Sequence, residues 1–210
     1  MSAIGADELG ALIRAMAERV ASEREALNRL DAALGDGDHG TSINAAFAEA
    51  VAAIDALEQP SPSAVWLATA KALMNRMGGA SGAIFGSFFL KGVANLRDID
   101  RVSHNRMAGL LVSGLDSVKA RGKARVGDKT MVDALAPAVA AFGAAADFGA
   151  AWAAAATAAR AGAESTREMT AKLGRAKFLG ERAIGHTDPG ATTIALMFEA
   201  AHDWWKENKA

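Results

Sequence analysis

The sequence predicts an all-α fold, and three observations carry that expectation. The chain is rich in alanine and leucine, β-branched runs are scarce and proline occurs only four times, a composition that favours helix. Apolar residues recur at helical spacing within each segment, and no stretch alternates apolar and polar residues with a period of two. Short breaks rich in glycine, aspartate or arginine separate the segments, as expected for helices joined by short loops.

The first helix is expected over 6–33, where Leu9, Ile13, Met16, Val20, Leu27 and Leu30 fall on one face and arginine and glutamate on the other. A second covers about 41–58, carrying Phe47, Val51, Ile54 and Leu57 inward. Ser61 followed by Pro62 reads as an N-cap with proline at the first helical position, opening a helix to about Met77. Five more are expected at about 80–96, 103–121, 130–144, 147–172 and 190–207. The alanine-rich part of the 147–172 segment reads as a tightly packed helix, because alanine is the best helix former and allows close approach. Eight helices then make one all-α domain spanning 1–210.

Bulk properties remove several classes of function. The 23 basic and 24 acidic residues nearly cancel, which gives no electrostatic reason to expect nucleic acid or an anionic membrane as partner. With no cysteine, disulfides, thiolate zinc sites and cysteine nucleophiles are excluded. The N-terminus lacks the basic and apolar regions of a signal peptide, and no stretch is long and apolar enough to span a membrane. A soluble, cytoplasmic chain is the expectation.

Unusual polar residues collect in four glycine-marked breaks. The segment from Leu30 to Gly40 holds Asp31, Asp36, Asp38 and His39 among three glycines. Carboxylates this close repel one another unless a cation intervenes, and an oxygen-only set suits Mg²⁺ or Ca²⁺. A solvated acidic turn is the alternative. An EF-hand is ruled out, because Phe47 stands where its bidentate glutamate belongs.

The second break, Gly78–Gly82, precedes an apolar helix. It reads either as a phosphate cradle of helix N-terminal amides or as a site of close helix packing. The third, Arg121–Met131, carries four cations suited to phosphate, or else a solvated basic loop, with Thr130 placed to cap the next helix. The fourth, Gly174–Gly190, is long for a structureless loop, and Phe178, Leu179 and Ile184 suggest that it packs down on the body. Of the histidines, His39 and His186 lie in these loops, while His104 and His202 sit in helices and read as structural. A metal, cations and an amide cradle together point to a bound nucleotide and phosphoryl transfer.

Leu30–Asp31, Gly35–Gly40, Gly78–Gly82, Gly127–Met131, Gly174–Ala176 and Gly185–Thr192, in this order, resemble the L subunit of bacterial dihydroxyacetone kinases and the equivalent domain of single-chain ones. The resemblance runs from residue 30 to about 193. It implies an eight-helix antiparallel barrel with the nucleotide at one rim. Asp31, Asp36 and Asp38 would be the catalytic Mg²⁺ ligands, holding two ions against the phosphates of ADP or ATP. His39, Gly40, Thr41 and Ser42 would contact nucleotide, Ala80 and Ser81 would cradle phosphate, and Gly122 and Met131 would line the adenine side. Arg175 with Asp188, Pro189 and Gly190 would close the site. Lys177-Phe178 departs from the family pattern locally.

The implied reaction is in-line phosphoryl transfer to a short-chain ketose, which a separate K-type subunit holds covalently through a histidine of its own. The donor is either resident ADP, rephosphorylated by a phosphohistidine carrier protein of the phosphotransferase system, or exchangeable ATP, which in some family members serves a four-carbon ketose. A nucleotide-binding regulatory module without catalysis is a further option. Whether the chain forms a homodimer, and whether the barrel holds an apolar ligand, helical periodicity leaves open.

Overall fold

The computed structural model describes residues 3–209. Its α-helices are α1 (Ala6–Ser22), α2 (Arg24–Leu34), α3 (His39–Asp55), α4 (Pro62–Arg76), α5 (Gly79–Gly92), α6 (His104–Gly122), α7 (Met131–Ala144), α8 (Phe148–Ser165) and α9 (Pro189–Lys209). The helix expected over 6–33 is divided at Glu23 (φ −101°, ψ 7°), although the ladder runs on through Glu23 N–H to Arg19 O and Leu27 N–H to Glu23 O. Ser22 supplies a reason: its hydroxyl donates back to Arg19 O at 2.8 Å, a contact that bends helices. The first arm is therefore α1 and α2 in series.

Three other expectations need correction. The helix expected to reach 96 stops at Gly92 and continues as the 3₁₀ turn Val93–Leu96. The helix expected to reach 172 ends at Ser165 with a 3₁₀ turn at Thr166–Glu168, where the Thr166 hydroxyl donates to Ala163 O. Two short strands, β1 (Ala3–Ile4) and β2 (Val102–Ser103), pair antiparallel where none was expected, too short to show any alternation.

The helices close on themselves. α1 packs on α3, each helix from α3 to α8 packs on the next, and α9 returns to α1, with α2 lying over α3 and α9. This is a helical barrel whose ring has eight members once α1 and α2 count as one arm. Its interior is filled by side chains. Trp66 meets Phe89 edge-on at 5.0 Å, Phe88 meets Phe89 at 5.1 Å, and Phe142 meets Trp152 at 4.7 Å. Small residues set the approach of neighbours: a Cβ on Gly162 would lie 2.2 Å from Asp133 O, so α7 and α8 are in backbone contact there. No helix among the described residues is long and apolar enough to cross a membrane.

Side-chain caps mark the two ends differently. At one end Ser61, Ser103 and Asp147 accept from Ala64, Arg106 and Ala150 N–H, closing the N-termini of α4, α6 and α8. The N-termini of α3, α5, α7 and α9 all lie at the other end.

Candidate functional site

At that other end, the loops leading into α3, α5, α7 and α9 enclose a cavity of about 580 Å³. Asp31, in the last turn of α2, builds the first wall. Its Oδ2 accepts from the N–H groups of Gly37 (2.9 Å), Asp38 (3.0 Å) and His39 (3.2 Å). Gly37 makes the turn possible with φ 80°. The result gathers the acids: one carboxylate oxygen from each of Asp31, Asp36 and Asp38 lies within 4.8 Å of the other two. Three oxygen donors of this kind fit a hard cation such as Mg²⁺.

His39 stands behind the acids at the start of α3, buried against Phe85. Burial pushes its imidazole down to about 4, against the pull of Asp31, so the ring is neutral at physiological pH. Thr193 donates its hydroxyl proton to Pro189 O, which makes His39 Nε2 the donor to Thr193 Oγ1 at 2.8 Å. His39 thus ties α3 to α9 rather than supplying charge.

The second wall is the N-terminus of α5. No side chain caps it, so its first amides face the cavity unclaimed. The glycines here divide between the two roles their sequence left open. Nothing lies within 4 Å of a Cβ built on Gly78 or Gly79, and Gly79 has φ 64°. A Cβ on Gly82 or Gly86, in contrast, would lie 2.2 Å from Met77 O or 2.1 Å from Met74 Cγ. Gly78 and Gly79 shape an open cradle; Gly82 and Gly86 pack helices.

The third wall leads into α7, which Thr130 and Asp133 cap reciprocally: Thr130 Oγ1 accepts from Val132 N–H, and Asp133 Oδ2 accepts from Thr130 N–H. In the fourth wall, Arg175 Nη1 pairs with Asp36 Oδ2 across the cavity mouth. Asp188 caps α9, its Oδ2 accepting from Ala191 N–H at 2.8 Å. Burial pushes the Asp188 carboxyl up to about 7, with its backbone donors and Lys129 pulling the other way.

Of the residues singled out from the sequence, Asp31, Asp36, Asp38, His39, Ser42, Ala80, Ser81, Gly122, Met131, Arg175, Asp188, Pro189 and Gly190 all line this cavity. Gly40 and Thr41 do not. A Cβ on Gly40 would lie 2.0 Å from Arg24 O, and Thr41 exchanges two hydrogen bonds with Asn28, so both serve the α2–α3 contact. The fourth loop also departs from expectation. It forms a 3₁₀ segment, Arg175–Ala183, kinked at Gly180, from which Phe178 projects 78% exposed beside Lys177 and Ile184 is exposed too. Ala183 and Thr187 are the residues of the loop that pack down.

The sequence reading missed an apolar wall of Ile84, Val118, Ala124 and Leu173, because apolar residues at helical spacing look alike whether they face a core or a ligand. It also passed over Lys129, seen as one cation in a basic loop, which is 2% exposed.

A family model described as the DAK2 domain matches residues 33–203. The chain is 40% identical over 193 residues to the ADP-binding subunit DhaL of PEP-dependent dihydroxyacetone kinase 2 from Listeria innocua, covering 90% of this chain and 89% of that one. It is 36% identical over 182 residues to the corresponding subunit from Escherichia coli, covering 85% and 87%. It also matches L-erythrulose 1-kinase of Mycolicibacterium smegmatis at 37% identity, covering 87% of this chain but 33% of that enzyme. Among solved structures, the dihydroxyacetone kinase from C. freundii in complex with AMP-PNP and Mg²⁺ superposes with a TM-score of 0.77 at 29% identity, covering 97% of this chain and 35% of that one.

Proposed function

The chain belongs to the DAK2 domain family, and from that premise we propose that it is the nucleotide- and Mg²⁺-binding subunit of a short-chain ketose kinase. One observation carries the reading: three clustered carboxylates and an uncapped helix N-terminus share one cavity with an arginine and an apolar wall. Those are the parts that phosphoryl transfer requires, since its catalysis is mainly positioning and charge stabilisation. The relatives named as ADP-binding subunits, and the C. freundii complex with AMP-PNP and Mg²⁺, support nucleotide and metal as the ligands.

Asp31, Asp36 and Asp38 would hold Mg²⁺, two ions in the family pattern, and the metal would offset charge on the nucleotide phosphates. Gly79, Ala80 and Ser81 would receive phosphate oxygens on their backbone amides. Ile84, Val118, Gly122, Met131 and Leu173 would pack the base, and Arg175 with Asp188, Pro189 and Gly190 would close over it. Asp31 holds the acidic loop in shape through its three N–H bonds, so the chain presents its metal ligands already arranged.

The acceptor ketose would sit on a separate K-type subunit that docks at this rim. The match to PEP-dependent relatives supports resident ADP, rephosphorylated in place by a phosphohistidine carrier. The match to L-erythrulose 1-kinase favours a second reading, an exchangeable ATP serving a four-carbon ketose. Mass analysis of nucleotide carried by the freshly purified chain tests the binding role. Turnover of dihydroxyacetone and erythrulose with the K-type partner and ATP, with and without phosphocarrier, separates the two donor schemes. Robust ketose phosphorylation by the chain alone would sink the subunit reading.

A further inference from the structure

The strangest charge in the molecule is Lys129, which lines the cavity yet is 2% exposed, while the other cations of its loop reach solvent. A buried ammonium is costly unless its protons are bonded. Here Nζ donates to Thr166 O at 2.6 Å and to His186 O. Those two carbonyls belong to the opposite stems of the loop that carries Arg175, one just after α8 and one just before α9.

Other bonds join the same stems. Gly185 N–H donates to Arg167 O at 2.8 Å, Arg167 Nη1 donates to Gly185 O at 3.1 Å, and Asp188 N–H donates to Thr166 Oγ1 at 2.8 Å. A reverse stitch runs from the loop to Lys129's own neighbours: Lys172 Nζ donates to Gly127 O at 2.7 Å, and Lys172 N–H donates to Asp128 O at 3.2 Å. The loop into α7 and the loop into α9 are therefore one stitched unit. Between its stems the second loop is held by the Arg175–Asp36 pair, while Phe178 and Ile184 face solvent.

We propose that Lys129 is a positioning residue for the nucleotide: by pinning both stems of the 166–188 loop to the third wall, it fixes Arg175 and Asp188 over the bound ligand. Lys129 touches no reacting atom; it acts through the carbonyls of Thr166 and His186. The backbone at Lys129 is left-handed, φ 59°, a conformation a non-glycine residue keeps only when its surroundings enforce it. The side chain points inward at that cost, whereas a cation meant only for phosphate could do its work from an extended backbone. The proposal rests on the nucleotide-kinase reading of the same cavity.

The test is Lys129→Met, which keeps length and removes the charge, beside Lys172→Ala, a surface change that removes the side-chain half of the reverse stitch and leaves the Lys172 N–H bond to Asp128 O in place. Hydrogen exchange on the ligand-free chain should quicken across 169–187 in both variants while α1, α3 and α4 keep parent protection. MgADP affinity should fall by about tenfold in Lys129→Met, within the usual range for coupling through a network. Lys172→Ala should show a smaller loss of the same kind. With the K-type partner, KM for nucleotide should rise while kcat at saturation stays near the parent value, a split that a general loss of fold would not give. Should Lys129→Met fail to fold, Lys129→Gln, which is uncharged and too short to reach both carbonyls, takes its place: parent exchange across 169–187 and parent affinity would overturn the proposal. Parent-like exchange and affinity in Lys129→Met would overturn it equally. If the parent chain binds no MgADP, the functional reading fails instead, and the exchange experiment still judges the pinning.

Discussion

Asp31 and Asp38 belong to the same acidic cluster, yet the structure gives them different work, and replacing each by alanine should separate metal binding from loop building. Asp31 Oδ2 receives three backbone N–H groups, two of them partly shielded, whereas the Asp38 carboxylate accepts no hydrogen bond among the described residues. Hydrogen bonds to a charged acceptor contribute about 1.5–3 kcal/mol each when shielded. Taking the low end because the loop is near solvent, Asp31→Ala costs about 2–3 kcal/mol. Relief of repulsion from the two neighbouring carboxylates, within 4.8 Å, returns about 0.9 kcal/mol each in a water-like dielectric, or about 1 kcal/mol in all once physiological salt screens them. The net loss of about 1–2 kcal/mol lowers Tm by roughly 2–8 °C for a chain of this length.

Asp38→Ala relieves repulsion but gives up a carboxylate at the α3 N-cap that the helix dipole favours by about 0.3–1 kcal/mol, so its Tm in chelator should stay level with the parent or rise slightly. Both variants should lose Mg²⁺-dependent ADP binding in a calorimetric titration. Thermal unfolding in chelator therefore ranks Asp31→Ala below parent and Asp38→Ala level or above, while the titration ranks both as non-binders. Equal Tm losses would refute the division of labour, and retained Mg²⁺-dependent binding in either variant would refute the metal assignment.

Three other outcomes follow from the geometry. Asp188 has its native pKa raised to about 7, so the stability this group contributes is complete at acid pH and is lost as pH rises through about 7. Asp188→Asn keeps the acceptor for Ala191 N–H without ionising. Its stability relative to the parent should climb between about pH 4 and 7, by at most about 1.4 kcal/mol per pH unit, and level off above; urea titrations at pH 5 and 8 with equal differences would contradict this. Gly79→Ala strains a left-handed residue in open space and should cost about 1–2 kcal/mol while sharply weakening nucleotide binding. Gly82→Ala instead drives a methyl to 2.2 Å from Met77 O and should show the larger loss of Tm. Gly162→Ala forces α7 and α8 apart and should destabilise by about 1–3 kcal/mol, while Gly109→Ala, with nothing within 4 Å, should stabilise α6 by about 0.5–1 kcal/mol. Parallel thermal melts of this pair check whether backbone contact sets the α7–α8 distance.

Local signals were legible and tertiary ones were not. Ser61 before Pro62 and Thr130 before Met131 announce their helices, because a cap acts within one turn. The four breaks that meet at the cavity could be picked out because each spends glycine or charge where a plain connection needs neither. The break at Glu23 was invisible, since it turns on a single serine hydroxyl choosing a backbone carbonyl. The bond from Thr41 to Asn28, thirteen residues earlier, was equally invisible, since it joins two helices across a turn of the chain. Lys129 gave no hint at all: its acceptors are carbonyls 37 and 57 residues away, and a carbonyl carries no mark in sequence.

The architecture itself explains why the site sits at this end. In a ring whose neighbours run antiparallel, alternate helices begin at the same end, so α3, α5, α7 and α9 bring four positive dipole ends to one cavity. Three of those ends are already engaged. Asp31 and Asn28 hold first-turn amides of α3, Thr130 caps α7, and Asp188 caps α9. α5 alone begins on glycines with no side-chain cap, which makes its first turn the place where an outside anion replaces the missing acceptor. The carboxylates of the first loop repel that anion unless a cation stands between them. A ligand satisfying both must carry phosphate toward α5 and metal toward Asp31, Asp36 and Asp38, the two chemical demands that a magnesium-bound nucleotide meets together.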